Sequence, residues 1–452
     1  MWTFLKKVHL IVFALFFLGG IVIFFVFMGV LFSGDDVHDK SVLKITLDHR
    51  LVELAPSDPL GAKFDLPISS FEPKFGVINM VEALKQAKDD PKISSVFLEL
   101  RMINGGLGGI EEIRNALIDF KTSGKKVISY GDLYDEKAYY LASACDSVYL
   151  THEGILEFNG FVAEVNFYKN LLNSVGLEPI IFRVGKFKGA VEPFMLDSIS
   201  KENRHQIKEF LGSLHTKMIN QVAQSRGLAP DVVKDISDNL RVRNAYQAKE
   251  FGLIDGVKYY DEVISVVRKV SDIKETEKVN FIKAESYWKA PMAIPSNNEI
   301  AVIIAHGDIA LGKNKDDVIG SNGMAKLIRE ARLDPAVKAI VLRINSPGGS
   351  ALGSDLMWRE IELASQAKPV IASMSDMAAS GGYYMAMACD TIVAHEMTIT
   401  GSIGVFGMLV NAQGLLEDKL KIHTDRITTG KFSDLGTPTR KMTAEDSTII
   451  QD

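Results

Sequence analysis

The sequence predicts an α/β protein in which a unit built on a mostly parallel sheet is duplicated, with one N-terminal transmembrane helix ahead of it. Three observations carry this. Short apolar strands alternate with helical stretches, the pattern of βαβ units. A segment recurs: YYLASACD at 139–146 and YYMAMACD at 383–390 agree at six of eight positions, at an offset of 244. Finally, Leu10 to Phe32 is a run of 23 residues without a charge.

The apolar run comes first along the chain. As a helix it would reach roughly 35 Å at 1.5 Å per residue, against about 30 Å of hydrocarbon. Lys6 and Lys7 precede it, and Asp35 and Asp36 follow it. That asymmetry puts Met1 in the cytoplasm and the rest of the chain outside. Val30-Leu31-Phe32-Ser33 lacks the small-x-small pattern of a cleavage site, so an uncleaved anchor is expected. The alternative is a buried core helix.

Each half then follows one plan. A strand (95–100; 339–344) runs into a glycine-rich turn and a helix (109–121; 351–367). A second strand (126–130; 369–373), a helix (137–144; 381–388) and a third strand (147–150; 391–394) follow. The same offset aligns Ser129 with Ser373, Asp132 with Asp376, Gly160 with Gly404, and Cys145 with Cys389. Residues 200–269 read as helices, with an amphipathic stretch over 202–224. Pro291 and Pro295 mark a linker. The expected organisation is a cytoplasmic N-terminus over 1–9, the anchor over 10–32, a first repeat over 40–285, a linker over 286–299 and a second repeat over 300–452. The second repeat stops near the equivalent of residue 208, which reads as a fragment or a truncated product.

Composition excludes some functions. Net charge is −6 with no long basic run, so nucleic acid is not an expected partner. Two cysteines without a CxxC exclude a disulfide framework or thiolate metal site, and both read as small buried apolar groups. No cofactor is expected.

Features present in only one copy are candidates for chemistry. Met377-Ala378-Ala379-Ser380-Gly381-Gly382 faces Leu133-Tyr134-Asp135-Glu136-Lys137-Ala138, so Ser380 stands opposite Glu136. A serine opening a helix can be a plain N-cap. Against that, Ala378 and Ala379 leave room for a substrate backbone, Gly381 permits close approach, and a helix N-terminus offers free N–H groups to an oxyanion. Asn345-Ser346-Pro347-Gly348-Gly349-Ser350 follows a strand and would lie at the same sheet edge, either as a second oxyanion donor or as a simple strand-to-helix turn.

A hydroxyl needs a base. None of the nine histidines has a triad context; His395, nearest in sequence to Ser380, falls at a strand end and reads as a surface residue. Lysine can serve if burial lowers its pKa from about 10.4 towards neutrality. Residues 182–194, FRVGKFKGAVEPF, place Lys188 among apolar and small residues. At an offset of 245, Lys186 matches Lys431, whereas Lys188 faces Ser433. The alternative is a solvated surface lysine.

Together MAASGGYY around Ser380, the NSPGGS turn, TGSIG over 400–404 and FRVGKFKGAVEPF closely resemble the long form of the signal peptide peptidase A (protease IV) family. The resemblance covers almost all of the chain after the anchor. It implies duplicated ClpP/crotonase-like domains and a Ser–Lys dyad, with Ser380 as nucleophile and Lys188 as base. Ser402 would orient the amine. Gly381 and one glycine of the turn, Gly349 ahead of Gly348, would donate to the oxyanion. It further implies peptide substrates such as remnant signal peptides, no metal or ATP, and a homotetramer. The anchor would place a single-pass enzyme in the cytoplasmic (inner) membrane, in contact with its lipid, with the catalytic part on the periplasmic side. Two competing classes remain at this stage: a crotonase-type acyl-CoA enzyme, disfavoured by an extracytoplasmic location, and a catalytically silent membrane scaffold.

Overall fold

The computed structural model describes residues 37–55, 74–288 and 298–451, together with Gly19 and Ser296. The expected anchor over 10–32, Gly19 apart, and most of the expected linker lie outside the described residues. Among the described residues no helix is long and apolar enough to cross a membrane.

Two parallel sheets dominate. The first runs Gly256–Val257, Ser147–Leu156, Lys126–Tyr134, Ile93–Leu100, Ser41–Thr46, Phe281–Lys283 in spatial order. The second runs Thr391–Val393, Val370–Ala379, Val337–Ser346, Glu299–His306, with Ile399–Gly401 beside the far end of Val370–Ala379. The four central strands of each sheet therefore follow the same order. Every pairing in both sheets is parallel.

The strands of the first sheet are near-continuous apolar runs because both faces are covered. Helices Val77–Asp89, Leu107–Lys121 and Lys201–Arg226 pack on one face. Helix Tyr260–Val270 buries Val263 and Val267 against Val42, Phe97 and Ile128 on the other. In the second sheet Ile340, Leu342, Ile344 and Met374 pack against helices Ser321–Leu333 and Ala351–Ser365 through Met324, Ile328, Met357 and Ile361. Its edge is barer: Ile392 is 41% exposed, whereas its counterpart Val148 is fully buried.

The expected helical region over 200–269 comprises Lys201–Arg226, Pro230–Asp238, Ala245–Glu250 and Tyr260–Val270, interrupted by the short strand Gly256–Val257. The long helix starts where the Ser200 side chain accepts from Asn203 N–H. It stops at Gly227, whose φ of +65° needs no Cβ. The change of offset from 244 to 245 has a structural counterpart. Lys169–Ser174 is an α-helix, and Gly414–Lys419 in the other half is a π-helix. The added residue is absorbed as one widened turn. After it, Lys421 takes the positive φ that Gly176 takes in the first half.

The halves meet across a polar seam. Arg343, 6% exposed, donates to Glu53 at 2.6 Å and to Glu112 at 2.7 Å. Asn345 Nδ2 donates to Glu53 at 2.6 Å and to Asp376 at 3.0 Å. Asp376 Oδ1 in turn accepts from Gly109 N–H at 2.7 Å. Helix Leu107–Lys121 has no side-chain cap of its own at Gly106, so a carboxylate from the other half supplies it. The fit is close: a Cβ on Gly108 would lie 2.7 Å from the Ser375 carbonyl oxygen.

Candidate active site

Ser380 occupies the junction between strand Val370–Ala379 and helix Gly381–Ala386. Its backbone takes φ +52° and ψ −114°, a costly conformation for a residue with a Cβ. The Ser380 N–H donates to Gly401 O at 2.8 Å, which ties the junction to strand Ile399–Gly401. The turn closes only with glycines behind it. A Cβ on Gly381 would lie 2.3 Å from Ser354 Oγ, and one on Gly382 would lie 2.8 Å from Ser346 O. The Ser380 side chain makes no capping bond, so the N-cap reading does not apply and the hydroxyl is left for other contacts.

The NSPGGS turn lies directly against this junction. A Cβ on Gly348 would fall 2.6 Å from Gly381 N and 2.8 Å from Ser380 Cβ. The Gly348 N–H donates to Ser346 Oγ at 3.1 Å, and its carbonyl accepts from Ile309 N–H at 2.8 Å. Ser350 N–H donates to Ile309 O at 2.9 Å. Among the described residues, the N–H groups of Gly349 and Gly381 have no acceptor. Of the three glycines named from sequence, Gly349 and Gly381 therefore have amides available and Gly348 does not.

The lysine arrives by an element that sequence patterning does not reveal. Glu178–Arg183 of the first half and Phe406–Asn411 of the second form a two-stranded antiparallel ribbon, with Arg183 opposite Phe406. Five residues beyond Arg183 stands Lys188, and four before Phe406 stands Ser402, so pairing the strands converges the two loops. Lys188 Nζ lies 3.2 Å from Ser380 Oγ, 3.1 Å from Ser402 Oγ and 2.5 Å from Ser402 O. Lys188 is 5% exposed, and burial pushes its amine below the ordinary lysine value. Ser402 itself has φ +52°.

The loop after Lys188 is pinned by Glu192, 1% exposed, whose carboxylate accepts from Ser200 N–H, Ser200 Oγ and Asn203 Nδ2. Sequence reading did not single out Glu192. Its position in GAVEPF, four residues past the lysine and eight before a helix-capping serine, was the available signal.

Other sequence candidates fall elsewhere. His395 is not a free surface residue. It is half-buried, with Nε2 2.9 Å from Glu112 Oε1, and the Glu112 carboxylate raises its pKa. Cys145 is buried and Cys389 partly so; neither is bonded to another cysteine, and burial pushes both thiols up to about 12. Glu136, opposite Ser380 in the repeat alignment, accepts from Gly160 N–H at 3.0 Å, and burial pushes its carboxyl up to about 7.

The family model for "Peptidase family S49" matches residues 119–274 and 362–452, more than half of the chain. The chain belongs to peptidase family S49. The two matched stretches contain Lys188 on one side and Ser380 and Ser402 on the other. A chloroplastic serine protease SPPA of Arabidopsis thaliana is 34% identical, over 92% of this chain and 61% of its own. Protease 4 of Salmonella typhi is 34% identical over 83% of this chain and 62% of its own. Protease 4 of Haemophilus influenzae is 33% identical over 80% and 60%. The chain thus spans about three fifths of the length of these S49 relatives.

Proposed function

We propose that this chain is a membrane-anchored serine endopeptidase working through a Ser380–Lys188 dyad. It degrades cleaved signal peptides and other apolar peptides at the extracytoplasmic face of the cytoplasmic membrane. The 3.2 Å approach of Lys188 Nζ to Ser380 Oγ carries the reading. A neutral amine has two N–H donors and one lone pair. With the donors spent on the Ser402 carbonyl and hydroxyl, the lone pair turns to the Ser380 O–H. Ser402 thereby acts as the orienting residue.

In the proposed cycle Lys188 takes the Ser380 proton as Oγ attacks the substrate carbonyl carbon. Negative charge on the carbonyl oxygen is met by the N–H groups of Gly381 and Gly349. The ammonium returns the proton to the departing amine, which leaves an acyl-Ser380 ester. Water, deprotonated by the same amine, then releases the acid and restores the hydroxyl. An extended apolar peptide would reach the serine by adding along an open strand edge.

Further parts of the proposal rest on the repeat, on the apolar run over 10–32 and on the resemblance to the signal peptide peptidase A family. These are a ClpP/crotonase-like fold for each repeat, over 40–285 and 300–452, a single-pass anchor over 10–32, and assembly as a homotetramer. The test of the dyad is labelling by a serine-directed fluorophosphonate together with hydrolysis of an apolar peptide. Wild type should show both, Ser380→Ala neither. Lys188→Ala should lose at least about a thousandfold in kcat/KM, the scale of losing a nucleophile's base. Activity retained in either variant removes the dyad.

A further inference from the structure

Lys188 sits on the loop between Arg183, the last residue of its ribbon strand, and Glu192, the first residue of the one-turn helix Glu192–Met195. Residues 184–187 are all exposed, so their side chains do not fix this loop. It is held from behind. Val191 is buried, and Glu192 collects three donors at the start of helix Lys201–Arg226: Ser200 N–H at 3.2 Å, Asn203 Nδ2 at 3.1 Å and Ser200 Oγ. Arg183 Nη1 stands 3.9 Å from the same carboxylate, which draws the two ends of the loop together.

Asn203 carries this hold to the lysine. A Cβ on Gly189 would lie 2.4 Å from Asn203 Nδ2, so the carboxamide is wedged between the Glu192 carboxylate and the backbone next to Lys188. The helix behind it is anchored at its other end. Leu214, Met218, Ile219, Val222 and Ala223 enter the core of the first repeat, whereas Asn203 is the one buried residue over 201–213. Capping the helix does not require the carboxylate, because Ser200 Oγ already accepts from Asn203 N–H at 3.1 Å. A buried carboxylate and a buried carboxamide, each costly alone, are thus spent on the one exposed-sided loop that holds the amine.

We propose that Glu192 is a positioning residue for the reaction: through Asn203 and Gly189 it fixes the backbone of Lys188 to the end of helix Lys201–Arg226, and so sets the approach of the amine to Ser380 Oγ. The inference rests on the proposed dyad. It adds a group that touches neither the substrate nor the amine and acts only through Lys188.

The test uses the full chain in detergent, with Glu192→Ala, Glu192→Gln and Asn203→Ala made in both the wild-type and the Lys188→Ala backgrounds. Asn203→Ala keeps the Ser200 cap, which uses the Asn203 backbone N–H, and removes only the wedge. In the wild-type background Glu192→Ala should lower kcat by up to about a hundredfold with KM little changed, the scale of misplacing a reacting group by about 1 Å. Glu192→Gln keeps one acceptor oxygen and should lose less. The inflection of kcat/KM with pH should move up toward the ordinary lysine value, since a loosened loop admits water to the amine. In the Lys188→Ala background the same changes should not slow fluorophosphonate labelling of Ser380 any further. Wild-type kcat and inflection in Glu192→Ala, or an equal further loss in the Lys188→Ala background, overturns the inference and leaves the dyad standing. Should Glu192→Ala fail to fold, Glu192→Gln and Asn203→Ala decide by the same criteria. The dyad itself is judged separately, on Lys188→Ala with Glu192 intact.

Discussion

Three oxygen atoms crowd one amine at Lys188, and none of them carries a formal charge. Burial without a counter-ion disfavours the ammonium. For the proposed base this predicts an acid limb: kcat/KM should climb with pH and inflect below the ordinary lysine value of about 10.4. The stability consequence has a definite sign. Between the folded and unfolded values the unfolded chain holds a proton that the folded chain has released, so stability rises with pH across that window. Lys188→Met should flatten the rise, read from urea midpoints at a series of pH values. Ser402→Ala removes one of the two acceptors that orient the amine. Losing a hydrogen bond of about 1 kcal/mol should lower kcat/KM about fivefold, with KM little changed. Of the two lysines that flank Phe187, only comparison of the halves separates them in sequence: Lys186 is matched by Lys431, Lys188 by Ser433. Burial agrees with that choice, since Lys186 is exposed and Lys188 is not.

At the scale of elements, the cap on helix Leu107–Lys121 is borrowed from the opposite repeat. Asp376→Ala should cost about 1 kcal/mol, the usual worth of an N-cap, while Asp376→Asn keeps an oxygen in place and should cost less. Denaturation midpoints decide it. Glu136 makes a second prediction. Its carboxyl stays protonated in the folded chain up to about pH 7, where an ordinary glutamate has already ionised. Stability should therefore fall as pH rises from about 4.5 to about 7, and Glu136→Gln should abolish that fall. The parallel strands and their helices are legible in the sequence because period and apolar runs are local signals. Their ends are less so. The third strand was expected to stop at residue 150 and continues to Leu156, past the polar His152 and Glu153, which lie at the surface end of the sheet. The ribbon was not legible at all. Glu178–Arg183 and Phe406–Asn411 are each short, and nothing in either names a partner more than two hundred residues away. Asp376 was visible only as a residue shared with Asp132, yet the shared aspartates do different work. Asp132 pairs with Arg101 on the surface at 2.8 Å.

For the whole molecule, the approach of Lys188 to Ser380 depends on two repeats staying docked, and Arg343 lies in that seam. Arg343→Met would leave Glu53 buried without its cation and Glu112 with His395 alone. The expected loss is about 3–5 kcal/mol, measurable as a lower denaturation midpoint, with fluorophosphonate labelling of Ser380 falling as the halves part. This seam was outside the reach of sequence reading because it joins residues 290 positions apart with no local periodicity. The order in which its parts are made has a consequence of its own. Lys188 and Ser380 are 192 residues apart. At about 5–20 residues per second, the amine leaves the ribosome about 10–40 s before the hydroxyl does. Throughout that interval the growing chain holds only one of the two groups that the proposed dyad needs.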